Sequence, residues 1–285
     1  MKPQLIASIR DLRQLTADLK RANRTAGFVP TMGALHAGHG ALIERARHEC
    51  DTSILSIFVN PTQFNQPDDY EEYPRDLQAD LEFCSSRGVD IVFAPDAHEM
   101  YPVPGHTAVE VSGLSERLCG EFRPGHFRGV ATVVLKLLNI VQPDKAYFGE
   151  KDAQQLAVVR QMVSDLNCPV EIVGVATVRE ADGLALSSRN QRLSSGERRI
   201  APTLYGALRA AERKIVAGAS ERAEAREAAM AELYREPQIR TEYLEIVDPQ
   251  DMQPVTRISG PVRIVAAIWL GTTRLIDNLL VTPEC

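Results

Sequence analysis

The chain has 285 residues, of which 44% are hydrophobic and 25% charged, values typical of folded rather than disordered proteins. Its 32 Lys and Arg residues against 38 Asp and Glu residues give a net charge of −6, which excludes a broadly basic surface for nucleic acid or anionic lipid. We find no apolar run of transmembrane length and no signal-like N-terminus. The spacing of the five cysteines matches neither a zinc nor a redox motif; they stand at positions 50, 84, 119, 168 and 285. These features predict a cytoplasmic protein with reduced thiols and without membrane or nucleic-acid partners.

The first two thirds of the chain alternate short apolar segments with helical patterns. After residue 4 the chain reads as a polar, helix-like stretch. Strands are then predicted at 28–29, 54–59, 89–93, 145–148 and 170–178, and helices around 42–46 and 77–84 and over 130–141 and 153–166. This rhythm predicts an α/β fold with a Rossmann-like, doubly wound parallel sheet.

The last third has a different texture. Helical stretches rich in Ala, Glu and Arg cover 195–218 and 220–236, and strand-like segments follow at 243–247, 263–270 and 274–281. The polar loop 179–183 interrupts the pattern where the sheet should end. The sequence therefore predicts two domains, 1–178 and a smaller α+β domain at 179–285.

The densest group of chemically useful residues is the segment 30–39, which follows the first predicted strand and precedes a helix. Such a turn lies at the carboxyl end of a strand, where ligands bind, and the unpaired N–H groups of a helix start favour an anion. His36 and His39 could both donate hydrogen bonds to a phosphate there, although a surface turn with a helix cap is the alternative. The glycines match neither the dinucleotide fingerprint nor the Lys-Ser/Thr phosphate loop, which disfavours a nicotinamide enzyme or a P-loop ATPase.

Three further polar blocks follow predicted strands. Asn60 and Gln63 are neutral amides that could hold a hydroxy acid without neutralising its carboxylate. Lys151 follows Gly149 at a strand end, a composition suited to a phosphate clamp, whereas Asp152 beside it could simply cap the next helix. Ser187, Ser188 and Arg189 offer hydroxyls and a guanidinium to phosphate oxygens, or else form a solvated loop.

The strand, turn and His-x-Gly-His pattern resembles the HIGH signature of the nucleotidyltransferase superfamily. With the blocks at 58–64, 149–152 and 186–190 in the same order, the chain is similar to the pantothenate synthetase family. That family joins pantoate to β-alanine: ATP and pantoate give pantoyl adenylate and pyrophosphate, and the amine then displaces AMP. The resemblance also implies Mg²⁺, a homodimer, and a C-terminal domain that closes over the nucleotide, with the loop 180–183 as a candidate hinge.

The resemblance further implies roles for individual residues. His39, His36, Lys151 and Arg189 are expected to act in catalysis, Gln63, Gln155 and Asn60 to bind pantoate, and Gln63 to bind β-alanine as well. Leu186 stands where the family often has Met, and Val178 matches a position on the adenine side. The expected ATP contacts are Met32, Gly33, Ala34, Leu35, His36, Ala37, Gly38, His39, Gly149, Glu150, Lys151, Asp152, Val178, Leu186, Ser187, Ser188 and Arg189.

Several alternatives stay open. Arg123 and His126 could meet a substrate or merely begin a helix, and Tyr73 could close over the site or only pack. The chain could be another HIGH-type nucleotidyltransferase, or a nucleotide-binding module without catalysis. A tRNA synthetase is disfavoured, because the chain is short and acidic and has no evident anticodon-binding domain.

Overall fold

A parallel sheet organises the N-terminal part of the chain. The computed structural model describes residues 2–65, 67–103 and 105–283, and within these ranges six strands form the sheet. They are β1 (Gln4–Ile6), β2 (Ala26–Thr31), β3 (Thr52–Ile57), β4 (Ile91–Phe93), β5 (Lys145–Gly149) and β6 (Glu171–Val175). Their order is β1-β4-β3-β2-β5-β6, and every neighbouring pair is parallel, which confirms the predicted fold class.

The edge strand β1 was not predicted. It lies where the sequence pattern reads as helix-like, and it pairs with β4 through Gln4 and Ile91, Leu5 and Val92, and Ile6 and Phe93. Three residues are too few for the alternation that marks a strand, so only the distant partner identifies it.

Helices and short 3-10 segments connect the strands. The helix α2 buries Leu42, Ile43 and Ala46 in a cluster with Val29 and Leu55 of the sheet. This packing holds α2, the helix that follows β2 in the chain, against the sheet. The 3-10 segments in this part are Pro61–Gln63 and Glu150–Asp152. The helices are α1 (Ile9–Arg21), α2 (Ala37–Glu49), α3 (Pro67–Glu71), α4 (Leu77–Ser86), α5 (Ala97–Met100), α6 (Cys119–Phe122), α7 (His126–Val141) and α8 (Ala153–Asp165).

The strand order locates the place where a ligand is expected. From β2 the chain adds β3 and then β4 in one direction, whereas β5 and β6 lie on the other side of β2. The order therefore reverses between β2 and β5. In doubly wound sheets, ligands bind outside the carboxyl ends of the strands at such a reversal. The turn that contains His36 follows β2, and Gly149 ends β5.

The chain divides into two units. The first reaches to Glu150 and includes Val158–Ala176; the second contains Lys151–Ala157 and the chain from Thr177 onward. In the second unit, the described strands β7 (Ile239–Val247), β8 (Val262–Leu270) and β9 (Thr273–Val281) form an antiparallel sheet in chain order. Its helices are α9 (Ser195–Ile200), α10 (Thr203–Val216) and α11 (Arg222–Leu233), with a 3-10 segment at Ser188–Arg192.

Small side chains let the helices of the second unit pack closely on its sheet. Ala207 and Ala211 of α10 and Ala225 and Ala229 of α11 are fully buried in one core that also contains Ile264 of β8. This arrangement confirms the predicted α+β character of the C-terminal part. The predicted domain boundary between residues 178 and 179 stays a prediction.

Two further expectations concern membrane-spanning helices and the cysteine thiols. None of the helices in the described ranges is both long and apolar enough to cross a membrane. The described cysteines, Cys50, Cys84, Cys119 and Cys168, are free thiols, and Cys285 lies outside the described residues.

We predict that Gly129→Ala destabilises the protein, because a Cβ at Gly129 would lie 2.3 Å from the carbonyl oxygen of Thr62 and 2.8 Å from Cα of Gln63. Overpacking against backbone costs about 1–3 kcal/mol. This exceeds the gain of about 1 kcal/mol that alanine brings to a helix. Urea unfolding should show a lower midpoint for this variant. Gly105→Ala is the control, since a Cβ at Gly105 meets nothing within 4 Å; equal midpoints for both variants would contradict the packing argument.

Candidate active site

The turn after β2 is held by hydrogen bonds to its own strand and to β3. The Thr31 hydroxyl donates to the carbonyl oxygen of Ser56 at 2.6 Å and accepts from the N–H of Gly33 at 3.2 Å. The chain then reverses through two residues with positive φ, Gly33 at 82° and Ala34 at 52°. Glycine tolerates this region and alanine does so at a cost, so the turn needs support from outside.

Asp80 of α4 supplies that support. Its carboxylate accepts from the backbone N–H of Ala34 at 3.1 Å and of Leu35 at 2.8 Å, and the residue is only 5% exposed. Burial raises the pKa of the Asp80 carboxyl, and the two backbone N–H donors act in the opposite direction. The sequence analysis did not single out Asp80, because an acidic residue one turn inside a helix has no local signature.

His36 and His39 cap the start of α2 reciprocally. His36 is the N-cap residue, and its Nδ1 accepts from the N–H of Gly38 at 3.1 Å, while Nδ1 of His39 accepts from the N–H of His36 at 3.2 Å. Both rings are half-buried, and their centroids are 4.2 Å apart. Because each Nδ1 accepts a hydrogen bond, the neutral ring carries its proton on Nε2.

These bonds change the way in which the turn can hold an anion. The sequence analysis expects unpaired backbone N–H groups here, but those of Ala34 and Leu35 donate to Asp80, and that of Gly38 donates to His36. In the neutral tautomer that these bonds favour, His36 and His39 each keep an Nε2–H group as a further donor. A role as a helix cap and a role in phosphate binding are therefore compatible, since the same two rings can serve both.

A buried amide pair follows β3. Asn60 is 1% exposed; its Nδ2 donates to Oε1 of Gln63 at 3.0 Å and to the carbonyl oxygen of Gly129 at 3.2 Å. The hydroxyl of Tyr101 donates to Oδ1 of Asn60 at 3.0 Å. Asn60 thus orients Gln63, and the contact of Asn60 with pantoate stays a prediction. Gln63 in turn donates from Nε2 to the sulfur of Met32 at 3.1 Å.

Arg123 and His126 hold the backbone of the same glutamine. Nδ1 of His126 donates to the carbonyl oxygen of Gln63 at 2.8 Å, and the guanidinium of Arg123 donates to that oxygen at 3.4 Å. Tyr73 is 9% exposed and packs its ring edge-on against Phe64, with the ring centroids 5.8 Å apart. All three residues therefore support the segment around Gln63.

The second unit contains a pocket with an excess of positive charge. Lys151, Ser187, Arg189, Arg274 and Asp277 are among the residues that line it. Arg274 is paired with Glu242, its Nε lying 2.9 Å from Oε2. Three cationic side chains against one carboxylate give the lining of this pocket a positive character suited to phosphate oxygens.

The C-terminal sheet fixes the backbone of Lys151. Nδ2 of Asn278 on β9 donates to the carbonyl oxygen of Lys151 at 2.9 Å, and Oδ1 of Asn278 accepts from Arg263. The neighbouring Asp277 forms a bidentate pair with Arg179, with N to O distances of 2.6 and 2.9 Å. Burial raises the pKa of Asp277, and the Arg179 guanidinium acts against that rise.

The loop around residue 187 is ordered by its own short-range bonds. Oγ of Ser187 accepts from the N–H of Arg189 at 3.3 Å, and the N–H of Leu186 donates to the carbonyl oxygen of Val178 at 3.0 Å. Ser188 and Arg189 begin the 3-10 segment at Ser188–Arg192, and Asp152 ends the one at Glu150–Asp152. The Nδ2 group of Asn190 donates to the carbonyl oxygen of Ala185 at 3.0 Å.

The candidate hinge is a tight hairpin within the second unit. The N–H of Glu180 donates to the carbonyl oxygen of Leu184 at 2.8 Å, and Arg198 donates to Glu180 at 2.7 Å and to Asp182 at 2.6 Å. Gly183 has φ of 93° against the ring of Tyr205. This hairpin is braced at several points, unlike an unsupported linker.

The predicted site residues thus fall into two sets, each described within its own unit. The first unit contains 32–39, Asn60, Gln63, Gly149 and Glu150, and the second contains Lys151, Asp152, Gln155, Val178 and 186–189. Missing from the sequence analysis were the residues that hold these groups through long-range bonds. They are Asp80, Tyr101, Arg179, Asp277 and Asn278.

Comparisons of the sequence with known proteins identify a family. Residues 4–280 match the family model described as pantoate-beta-alanine ligase. The chain is 52% identical to the pantothenate synthetase of Heliobacterium modesticaldum over 278 residues, which cover 98% of this chain and 99% of the relative.

Solved structures show the same likeness. The pantothenate synthetase of Thermus thermophilus superposes with a TM-score of 0.93 at 49% identity, covering 98% of this chain and all of that one. The pantoate-beta-alanine ligase of Francisella tularensis, solved with a beta-gamma ATP and beta-alanine, gives 0.81 at 37% identity and covers 98% and 97% of the two chains. The chain therefore belongs to the pantoate-beta-alanine ligase family, enzymes that condense pantoate with β-alanine at the expense of ATP.

Proposed function

We propose that this chain makes pantothenate from pantoate, β-alanine and ATP through a pantoyl adenylate. The observation that carries the proposal is the histidine turn, residues 32–39 after β2, which lies beside the reversal of strand order and in which Nδ1 of both His36 and His39 accepts a backbone N–H. Family membership over residues 4–280 supports the overall reaction, and the ligand-bound Francisella relative supports ATP and β-alanine as substrates.

The proposed chemistry needs no nucleophile from the protein. In the first step the pantoate carboxylate attacks the α-phosphorus of ATP, the bond to the bridging oxygen breaks, and pyrophosphate leaves. In the second step the uncharged amine of β-alanine attacks the acyl carbon, loses a proton, and displaces AMP. The protein lowers the barriers by positioning the reactants and by stabilising charge on phosphate oxygens.

The first unit supplies neutral donors to this reaction. His36 and His39 donate from Nε2 to oxygens of the α-phosphate, and the turn segment 32–39 forms one wall of the ATP site together with Gly149 and Glu150. Gln63 binds pantoate and later β-alanine through its side-chain amide, whose orientation Asn60 sets. A neutral amide suits this position, because a cation there would weaken the nucleophilic carboxylate.

The second unit supplies the cations and hydroxyls. Lys151 and Arg189 bind phosphate oxygens and stabilise the departing pyrophosphate, with Ser187, Ser188 and Asp152 beside them. Leu186 and Val178 border the nucleotide, and Gln155 binds pantoate. The positive character of the pocket described above supports these roles.

We further propose that Mg²⁺ enters as the MgATP substrate. No group of three or more His, Cys, Asp or Glu side chains in the described ranges is arranged to hold a metal ion. Mg²⁺ at nucleotide sites is commonly held by the phosphates themselves with few protein ligands, so this donor set fits a substrate-borne ion better than a resident one.

We also propose that the protein is a cytoplasmic homodimer in which residues 179–285 act as a lid. This proposal is supported by the family resemblance.

The test of the proposed function is isotope exchange between ATP and pyrophosphate by the purified protein with Mg²⁺, in the absence of β-alanine. We expect exchange that requires pantoate, followed by pantothenate formation when β-alanine is added. Exchange that needs a different acid or phosphate ester would instead indicate another HIGH-type nucleotidyltransferase. ATP binding without any exchange would indicate a module without adenylation activity.

Replacing His39 separates its capping role from its catalytic role. In His39→Asn, Oδ1 takes the place of the capping Nδ1, while the Nε2–H donor is lost. We expect the exchange rate to fall about 100- to 1000-fold, as for a lost oxyanion donor, with little change in thermal stability. His48→Asn, at the exposed last turn of the same helix, is the matched control and should retain the parent rate. A near-normal rate in folded His39→Asn would remove the catalytic assignment.

Arg189→Lys tests whether the guanidinium contributes more than charge. Lysine keeps the positive charge but cannot form two parallel bonds to phosphate oxygens. A lost hydrogen bond to a charged group is worth about 1.5–3 kcal/mol, or roughly 10- to 150-fold in rate. We expect kcat/KM for ATP to fall by that factor in steady-state assays. Arg192→Lys, on the same 3-10 segment, is the control; equal losses in both variants would contradict a specific contact by Arg189.

A further inference from the structure

The buried carboxylate of Asp80 forms hydrogen bonds with the backbone of the histidine turn. Asp80 lies in the first turn of α4, where Asp76 is the N-cap residue and accepts from the N–H of Ala79 at 3.0 Å. Capping therefore does not require Asp80. Its two oxygens instead reach the consecutive backbone N–H groups of Ala34 and Leu35, in a segment 45 and 46 residues away in sequence.

The turn is shaped around this carboxylate. A Cβ at Gly33 would lie 2.6 Å from Oδ2 of Asp80, so the close approach requires glycine at that position. The next residue, Ala34, has a positive φ of 52°, which an alanine adopts only when its surroundings hold it there. The bonds from Ala34 and Leu35 to Asp80 provide that restraint.

The restraint is passed directly to the first histidine. Leu35 precedes His36, whose N–H donates to Nδ1 of His39 and whose own Nδ1 accepts from Gly38. Fixing the N–H groups of Ala34 and Leu35 therefore fixes the direction in which the chain enters the capping arrangement. The positions of both Nε2 donors follow from it.

We propose that Asp80 is a positioning residue for the adenylation step, which orients His36 and His39 through the turn. This rests on the proposed function of those histidines. Asp80 does not touch the substrate in this proposal: its oxygens are engaged by backbone N–H donors, and a carboxylate would repel the phosphates of ATP. Its effect should therefore fall on the rate of the chemical step more than on the affinity for ATP.

The test compares Asp80→Asn with Asp76→Asn. Both remove one negative charge from the start of α4, but asparagine remains a good N-cap at position 76. At position 80, the amide nitrogen would face an N–H donor and the turn would lose one of its two bonds. We expect kcat of pantoate-dependent exchange to fall about 10- to 100-fold in Asp80→Asn, with KM for ATP within about threefold of the parent. Asp76→Asn should retain both values.

A second readout does not depend on activity. In protein with 15N-labelled histidine, long-range NMR spectra report which ring nitrogen carries the proton. We expect the Nε2-protonated signature of His36 and His39 in the parent and in Asp76→Asn, and mixed tautomers in Asp80→Asn. A purely structural role would lower the melting temperature but leave the tautomers and kcat unchanged.

The outcomes separate the two proposals. If the parent shows no pantoate-dependent exchange, the proposed function fails, and the NMR comparison still decides whether Asp80 orients the rings. If kcat and the tautomers of folded Asp80→Asn equal those of Asp76→Asn, the positioning role is overturned. Should Asp80→Asn not fold, Asp80→Glu keeps the charge and both acceptors but moves them by one methylene. A normal kcat in that variant would equally overturn the role.

Discussion

The reciprocal capping of α2 by His36 and His39 is the constraint on which the rest of the candidate site depends. Each Nδ1 accepts a backbone N–H, so the hydrogen bonds that begin the helix also favour one tautomer of the neutral rings. The start of a helix carries about half a positive charge, which adds to the attraction of the two Nε2–H donors for a phosphate. The two side chains that begin the helix are therefore also the ones proposed to bind phosphate, and a histidine change here alters the capping unless the acceptor is kept.

Sheet topology explains why this turn, among several strand ends, is the one suited to a ligand. The reversal between β2 and β5 leaves the ends of these two strands without a connection that crosses over them. The histidine turn follows β2, and Gly149 ends the neighbouring strand β5. The buried pair Asn60 and Gln63 follows β3, the other neighbour of β2, and is tied to α7 through Gly129. Three chain segments of the first unit thus acquire defined positions from strand order alone.

The sequence predicts those parts of the fold and site that depend on local pattern. Alternating apolar segments indicated the parallel sheet, which the structure confirms. The spacing of His36 and His39 after a strand indicated a phosphate-binding turn, which stays a prediction. The strand β1 and the carboxylate of Asp80 were missed, because each is defined by a partner far away in the chain. Arg123 and His126 were noticed for their chemistry, yet their bonds to the carbonyl oxygen of Gln63 could not be read from spacing. Local sequence thus predicts the donors of the candidate site better than the groups that hold them.

The placement of Lys151 shows what this difference means for the proposed reaction. Lys151 follows β5 by two residues, yet it belongs to the second unit, and its carbonyl oxygen accepts from Asn278, 127 residues further along the chain. Asn278 is itself oriented by Arg263, and the adjacent Asp277 is paired with Arg179, so the final strand of the protein braces the lysine backbone. The neutral donors are therefore set by the parallel sheet of the first unit and the cations by the antiparallel sheet of the second. The second unit is therefore needed to position Lys151, one of the residues that we propose to bind phosphate, and this requirement comes from contacts far away in the chain.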